Sequence, residues 1–293
     1  MSRLRRLTGV LAVALVALTG CDAMPRPTGD SPLRYRDRVF DEVSVTRDIR
    51  YGTAPDNDGQ PVALTLDLYK PVDDSAAARP VLVWAHGGGF STGDKDSTIA
   101  VTMATEFAKR GYVTASIDYR LLAPPGCTGA TAERCTEAAI AAIHDAQAAV
   151  RWLRANFAEH RIDRRRIAIG GESAGAIMAT GVGVWADEPG DSGNPGFPSD
   201  VQGWISISGG VPGGSFVDRR DAPGLLFAGT DDGVVPHQWS VETTDAMRRN
   251  GVLAVFKSLE GAGHVPWGQY RGLFITQTSY FLYHVMDLRQ ASQ

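Results

Sequence analysis

The sequence predicts an α/β protein: one domain on a doubly wound, mostly parallel sheet that starts with an antiparallel pair of strands. Three observations carry this. Short, almost wholly apolar runs recur along the chain, as expected of strands buried on both faces of a parallel sheet. Helix-like segments separate most of them, so successive strands have the crossovers that parallel pairing requires. The first two runs differ, alternating apolar and polar residues around a turn, which is the pattern of an antiparallel pair. At 293 residues, 43% hydrophobic and 21% charged, the chain has an ordinary globular composition and enough length for a large core.

The N-terminus reads as a targeting segment. Arg3, Arg5 and Arg6 precede an apolar run from Leu7 to Leu18 that is too short to span a bilayer but suits a secretory signal. Leu18-Thr19-Gly20-Cys21 resembles the bacterial lipobox, in which the cysteine is lipidated and becomes the new N-terminus. The expectation is a signal peptide over residues 1–20, a lipid on Cys21, and a flexible tether over residues 21–40, rich in Pro, Arg and Asp. The tether would hold a domain of residues 41–293 at the outer face of a bacterial cell membrane. The alternative is an ordinary signal peptide cut nearby, with Cys21 incidental. The other two cysteines, Cys127 and Cys135, lie in a segment holding Pro124-Pro125-Gly126 and Gly129. In an oxidising compartment they are expected to be bonded. No second Cys or His pair sits at ligand spacing, so no metal site is expected.

Within the domain, Val43 to Tyr51 and Val62 to Tyr69 flank Asn57-Asp58-Gly59 and form the antiparallel pair. The buried strands follow: Val81 to Ala85, Tyr112 to Ile117, Ile167 to Ile169, Trp204 to Ile207, Leu225 to Ala228 and Leu253 to Phe256. The clearest helix is Glu133 to Glu159, where Ile140, Ile143, Gln147, Val150, Leu153 and Phe157 recur at helical spacing. Arg161, Arg164, Arg165 and Arg166 fall between this helix and the next strand, a solvated corner. A net charge of −4 gives no nucleic-acid footprint.

One strand ends unusually. Ile169-Gly170-Gly171-Glu172-Ser173-Ala174-Gly175 places a G-x-S-x-G pattern after a strand and before a helix predicted from Ala174 to Trp185, the context of a nucleophile elbow. Glycines at 171 and 175 let the backbones approach, and Ser173 is held out of the sheet with a helix N-terminus behind it. A second motif, His86-Gly87-Gly88-Gly89-Phe90, closes the strand Val81 to Ala85. Successive glycines leave backbone N–H groups unobstructed, as an oxyanion site needs. The expected donors are Gly88, Gly89 and Ala174.

With both motifs present, the chain from Val43 onward resembles the α/β-hydrolase superfamily, and within it the esterases and lipases carrying HGGG with GESAG. The resemblance implies an α/β-hydrolase fold, a structural His86 and a triad in the chain order serine, acid, histidine. His86, His144 and His160 precede Ser173, and His144 beside Asp145 reads as a packing residue. His284 reads as core or surface. His264, in the Gly261-Ala262-Gly263 loop after a strand, stands where the superfamily places its base, and His237 is the lesser candidate. Gly229-Thr230-Asp231-Asp232-Gly233-Val234-Val235-Pro236 resembles the family's G-x-x-D-x-x-V-P and points to Asp232 rather than Asp231 as the acid.

The resemblance implies ester hydrolysis through an acyl-enzyme on Ser173, with a small-molecule ester as substrate and neither metal nor organic cofactor. Glu172 is expected to hydrogen-bond around the elbow. The segment after the nucleophile helix, from Asp187 to Gly196, is polar and turn-rich, so it makes no apolar lid. Short acyl chains and aryl esters are therefore the expected substrates. A peptidase of the same fold usually carries a large additional domain, whereas only a short segment precedes the first strand here. An inactive, membrane-tethered binding protein is the non-enzyme alternative, although such descendants commonly lose a triad member and Ser173, Asp232 and His264 are all present.

Overall fold

The computed structural model describes residues 23–123, 127, 132–185, 188–213 and 216–289. In chain order these form β1 (Val43–Pro55), β2 (Pro61–Pro71), β3 (Arg79–Ala85), α1 (Thr98–Ala108), β4 (Val113–Ile117), α2 (Ala132–Ala155) and α3 (Phe157–His160). There follow β5 (Ile162–Glu172), α4 (Ala174–Val184), β6 (Trp204–Ile207), β7 (Gly224–Gly229), α5 (His237–Arg249), β8 (Ala254–Leu259) and α6 (Trp267–Val285). The strands form one sheet in the order β1-β2-β4-β3-β5-β6-β7-β8. β2 pairs antiparallel with both β1 and β4, and every pair from β4 to β8 is parallel. This is the doubly wound sheet with an antiparallel start that the hydrophobic pattern implies.

Every residue of β3 is buried, and its side chains divide by the two-residue period of a strand. Val81, Val83 and Ala85 join a core that includes Ile143 and Val150 of α2, Met178 of α4 and Met247 of α5. Leu82 and Trp84 join the opposite core, with Met103 and Phe107 of α1 and Phe274 and Phe281 of α6. Helices thus cover both faces, which is why the strands read as continuous apolar runs.

Three sequence expectations are revised. The helix expected from Glu133 to Glu159 ends at Ala155. Asn156 leaves helical geometry (φ −96°, ψ 23°), and the short α3 closes on Arg161 in the left-handed region at φ 52°. The basic cluster is solvated as expected, with Arg161, Arg164 and Arg165 exposed, but it does not stop short of the strand: β5 starts at Ile162 and carries Arg164, Arg165 and Arg166. There Arg166 donates to the Met286 carbonyl and pairs with Asp163 at 2.7 Å.

The larger revision concerns the tether. Of residues 21–40, the part from 23 onward is anchored against α1 and α6 at Met24, Tyr35 and Arg36, with exposed residues between these points. The Met24 N–H donates to Gln277 Oε1 at 2.9 Å, and Tyr35 is fully buried with its N–H on the Arg110 carbonyl at 2.9 Å. Ser279 Oγ donates to the Arg36 carbonyl at 2.9 Å. Three of the segment's four arginines find a carboxylate: Arg34 pairs with Asp74, Arg36 with Asp37 and Arg38 with Glu106. Cys21 and the signal segment lie outside the described residues.

Candidate active site

Parallel strands β3, β5 and β7 and the loops that follow them and β8 bring the motif residues to one edge of the sheet. β5 ends at Glu172, and Ser173 takes φ 54°, ψ −117°, a strained backbone for a residue with a side chain. The two flanking glycines make the turn possible. A Cβ on Gly175 would stand 2.0 Å from the Ala85 carbonyl oxygen, and one on Gly171 would stand 2.4 Å from the Gly175 carbonyl carbon. Ser173 forms the N-cap of α4 while its own N–H is tied to the Ile207 carbonyl at 2.9 Å.

His264 lies in the loop between β8 and α6. Its Nε2 is 2.9 Å from Ser173 Oγ, and its Nδ1 is 2.8 Å from Asp232 Oδ2. The Asp232 side chain is inaccessible to solvent, and its Oδ1 accepts the N–H groups of Val234 and Val235 at 2.9 Å each. A carboxylate fixed in this way directs a proton onto Nδ1 and leaves the Nε2 lone pair facing the serine. Asp231 is exposed, with its hydroxyl neighbour Thr230 at 3.4 Å, while its N–H bonds the Ala262 carbonyl.

The glycine loop follows β3. Gly88 and Gly89 take φ values of 124° and 60°, which suit residues lacking a side chain. His86 is buried and stacks on Tyr119 with ring centroids 4.4 Å apart, and its Nδ1 is 2.6 Å from the Gly87 carbonyl oxygen. Burial pushes its imidazole pKa below the usual range, which keeps it neutral and suits a residue that shapes the loop. Among the described residues, the N–H groups of Gly88, Gly89 and Ala174 have no acceptor. These donors therefore remain available to a ligand. Burial drives the Glu172 carboxyl up to about 7, against hydrogen bonds from the Gly87 N–H and the Trp84 indole that favour its charged form.

The remaining histidines stand apart from this line. His237 Nε2 meets Ser258 Oγ at 2.9 Å, and His284 Nε2 meets the Pro25 carbonyl at 3.1 Å. His144 faces Glu188 at 3.6 Å, while its neighbour Asp145 bonds Arg120. A disulfide joins Cys127 to Cys135, and Cys127 lies beside Gly89. Sequence reasoning missed two supports of the site. Ser208 Oγ accepts the Val265 N–H at 2.9 Å and fixes the loop carrying His264. Tyr119 Oη donates to the His86 carbonyl at 2.9 Å. Ser208 ends a strand before Gly209-Gly210, and that turn was the available signal; Tyr119 had none, because its partner is reached only through the pairing of β3 with β4.

The sheet order and the helices on both faces are those of the α/β-hydrolase fold, which the solved structures below share. A family model described as BD-FAE matches residues 66–195. Carboxylesterase NlhH of Mycobacterium tuberculosis is 33% identical over 144 residues, which are 49% of this chain and 40% of that protein. Esterase LipI of the same species is 29% identical over 217 residues, 72% of this chain and 62% of its own length. The chain thus spans less than two thirds of each of these relatives. Among solved structures, a truncated form of carbohydrate esterase from gut microbiota superposes with a TM-score of 0.68 at 20% identity, covering 86% of this chain and 98% of that one. Thermogutta terrifontis esterase 2 phosphorylated by paraoxon gives 0.68 at 22% identity, covering 83% and 94%. At these identities the structures speak for the fold.

Proposed function

We propose that the protein is a serine carboxylesterase acting on soluble esters with short acyl chains or aryl leaving groups. The observation that carries the reading is the hydrogen-bonded line from Asp232 through His264 to Ser173, beside the available N–H groups of Gly88, Gly89 and Ala174. His264 takes the proton from Ser173 as Oγ attacks the ester carbonyl, and Asp232 stabilises the imidazolium that forms. The N–H groups hold the oxyanion. His264 then gives its proton to the departing alcohol, and water repeats the cycle on the acyl-enzyme. Similarity to a carboxylesterase and an esterase supports the reaction class.

The preference for small esters is supported by the segment after α4, whose polar side chains pin it to the body. Asp191 pairs with Arg120 at 2.8 Å, and Asn194 Nδ2 donates to the Tyr51 and Ala148 carbonyls at 2.6 and 3.1 Å. Such a segment supplies no mobile apolar cover. An open site buries few methylenes, each adding only about 0.8 kcal/mol of binding. The test is kcat/KM against p-nitrophenyl esters of increasing chain length. A maximum at short chains is expected; a maximum at long chains, with a jump in rate above the substrate's solubility limit, would make the protein a lipase.

The same proposal includes a lipid on Cys21 at the outer face of a bacterial membrane. Because Met24 is packed, only Asp22 and Ala23 separate Cys21 from the folded body. Cys21→Ala is expected to move the protein from the membrane fraction to the soluble one with esterase activity intact. Retention in the membrane would refute the anchor.

A further inference from the structure

Consecutive glycines have little steric preference between a peptide plane and its flipped alternative, so a loop such as Gly87-Gly88-Gly89 must be oriented by hydrogen bonds. The peptide unit joining His86 to Gly87 is held at both ends. Its carbonyl accepts from Tyr119 Oη at 2.9 Å, and its N–H donates to Glu172 Oε1 at 3.0 Å. The other oxygen of Glu172 accepts from Trp84 Nε1 at 2.7 Å. Glu172 is buried, and it precedes Ser173 directly. One carboxylate therefore links the strand carrying the nucleophile, the strand leading into the glycine loop, and the loop itself. Beyond the clamped unit, the Gly88 carbonyl accepts the N–H groups of Ser91 and Thr92 at 3.1 Å each. The carbonyls are thereby drawn away and the N–H groups of Gly88 and Gly89 are left available.

We infer that Glu172 is a positioning residue that sets the oxyanion donors by clamping the His86–Gly87 peptide unit jointly with Tyr119. The inference rests on ester hydrolysis at Ser173. Both partners of Glu172 are N–H donors, so its role demands two acceptor oxygens. Glutamine has the same shape and offers one, setting its own NH₂ against the other donor.

The loss is specific to the transition state, because a misoriented loop weakens the hold on the oxyanion and not on the ground-state ester. Glu172→Gln is expected to lower kcat by roughly 10- to 100-fold with KM within about twofold, and to weaken binding of a trifluoromethyl ketone by a similar factor. Tyr119→Phe removes the clamp from the other end of the same peptide unit without cutting into the core. It is expected to lower kcat by a smaller factor, and the double variant to be less impaired than the product of the two single losses. If Glu172→Gln does not fold, the kcat-only loss and weakened ketone binding of Tyr119→Phe decide the matter. Unchanged ketone affinity in the folded variants, equal losses in substrate and ketone binding, or strictly multiplicative effects would overturn the clamp. A wild-type protein with no Ser173-dependent ester hydrolysis would instead overturn the hydrolase reading, and the clamp with it.

Discussion

The sheet edge around Ser173 and the N-terminal arm are held by opposite kinds of interaction. At the edge, residues close in sequence meet under steric constraints. Gly171, Ser173 and Gly175 occupy one turn, and almost any side chain at the glycines would collide with backbone. In the arm, residues of ordinary loop composition meet partners far along the chain: the Met24 N–H donates to Gln277, the Tyr35 N–H donates to the Arg110 carbonyl, and the Arg34 side chain pairs with Asp74. A local steric demand leaves a mark in the sequence that composition cannot hide. A long-range pairing leaves none, and the same Pro, Arg and Asp residues describe a free tether or a packed strap equally well.

If that contrast is right, substitutions at the two regions separate function from stability. Ser173→Ala should abolish turnover, by roughly 10⁴-fold or more in kcat, with the melting temperature unchanged, because the side chain is small and the role proposed for it is chemical. Asp232→Asn should cost roughly 10³- to 10⁴-fold by presenting the wrong tautomer of His264 to the serine. Asp231→Asn should change kcat by less than about threefold, since the exposed Asp231 side chain lies off the triad line. A reversal between the two aspartates would show that the acid is misassigned.

The arm should respond in the other currency. Tyr35→Ala opens a hole in a fully buried aromatic cluster with Tyr112 and should cost about 3 kcal/mol of stability while kcat holds. A smaller effect comes from Asp74, which ties the arm through Arg34. Burial raises its carboxyl pKa, but hydrogen bonds from Arg34, the Ala76 N–H and Arg79 outweigh this and hold it at about 2. A carboxylate depressed in the folded state stabilises the fold above its unfolded pKa, and that contribution is lost as pH falls through the folded value. Denaturant unfolding between pH 4 and pH 2 should therefore show a loss of stability that Asp74→Asn flattens. An arm that behaved as a tether would leave stability unchanged in Tyr35→Ala and in Arg34→Ala alike.

The same distinction explains what the sequence made legible. The sheet was readable because strands buried on two faces must be apolar throughout, and β3 shows this at every position. Ser173 was legible from the tight turn its flanking glycines require, whereas Asp232 and His264 were read from the chain order and the motif that the family resemblance implies. The end of the long helix at Ala155 was hidden because Phe157 continues the apolar period, although the chain has already turned at Asn156. Tyr119 and Ser208 escaped notice because each supports the site through one hydrogen bond to backbone brought near only by strand pairing.

An activated Ser173 reacts with a fluorophosphonate probe, and intact-mass measurement with peptide mapping reads the product. One adduct is expected, on Ser173, absent in Ser173→Ala and formed far more slowly in His264→Ala. A folded protein that takes up no probe, or takes it up on another residue at an unchanged rate in Ser173→Ala, would contradict it.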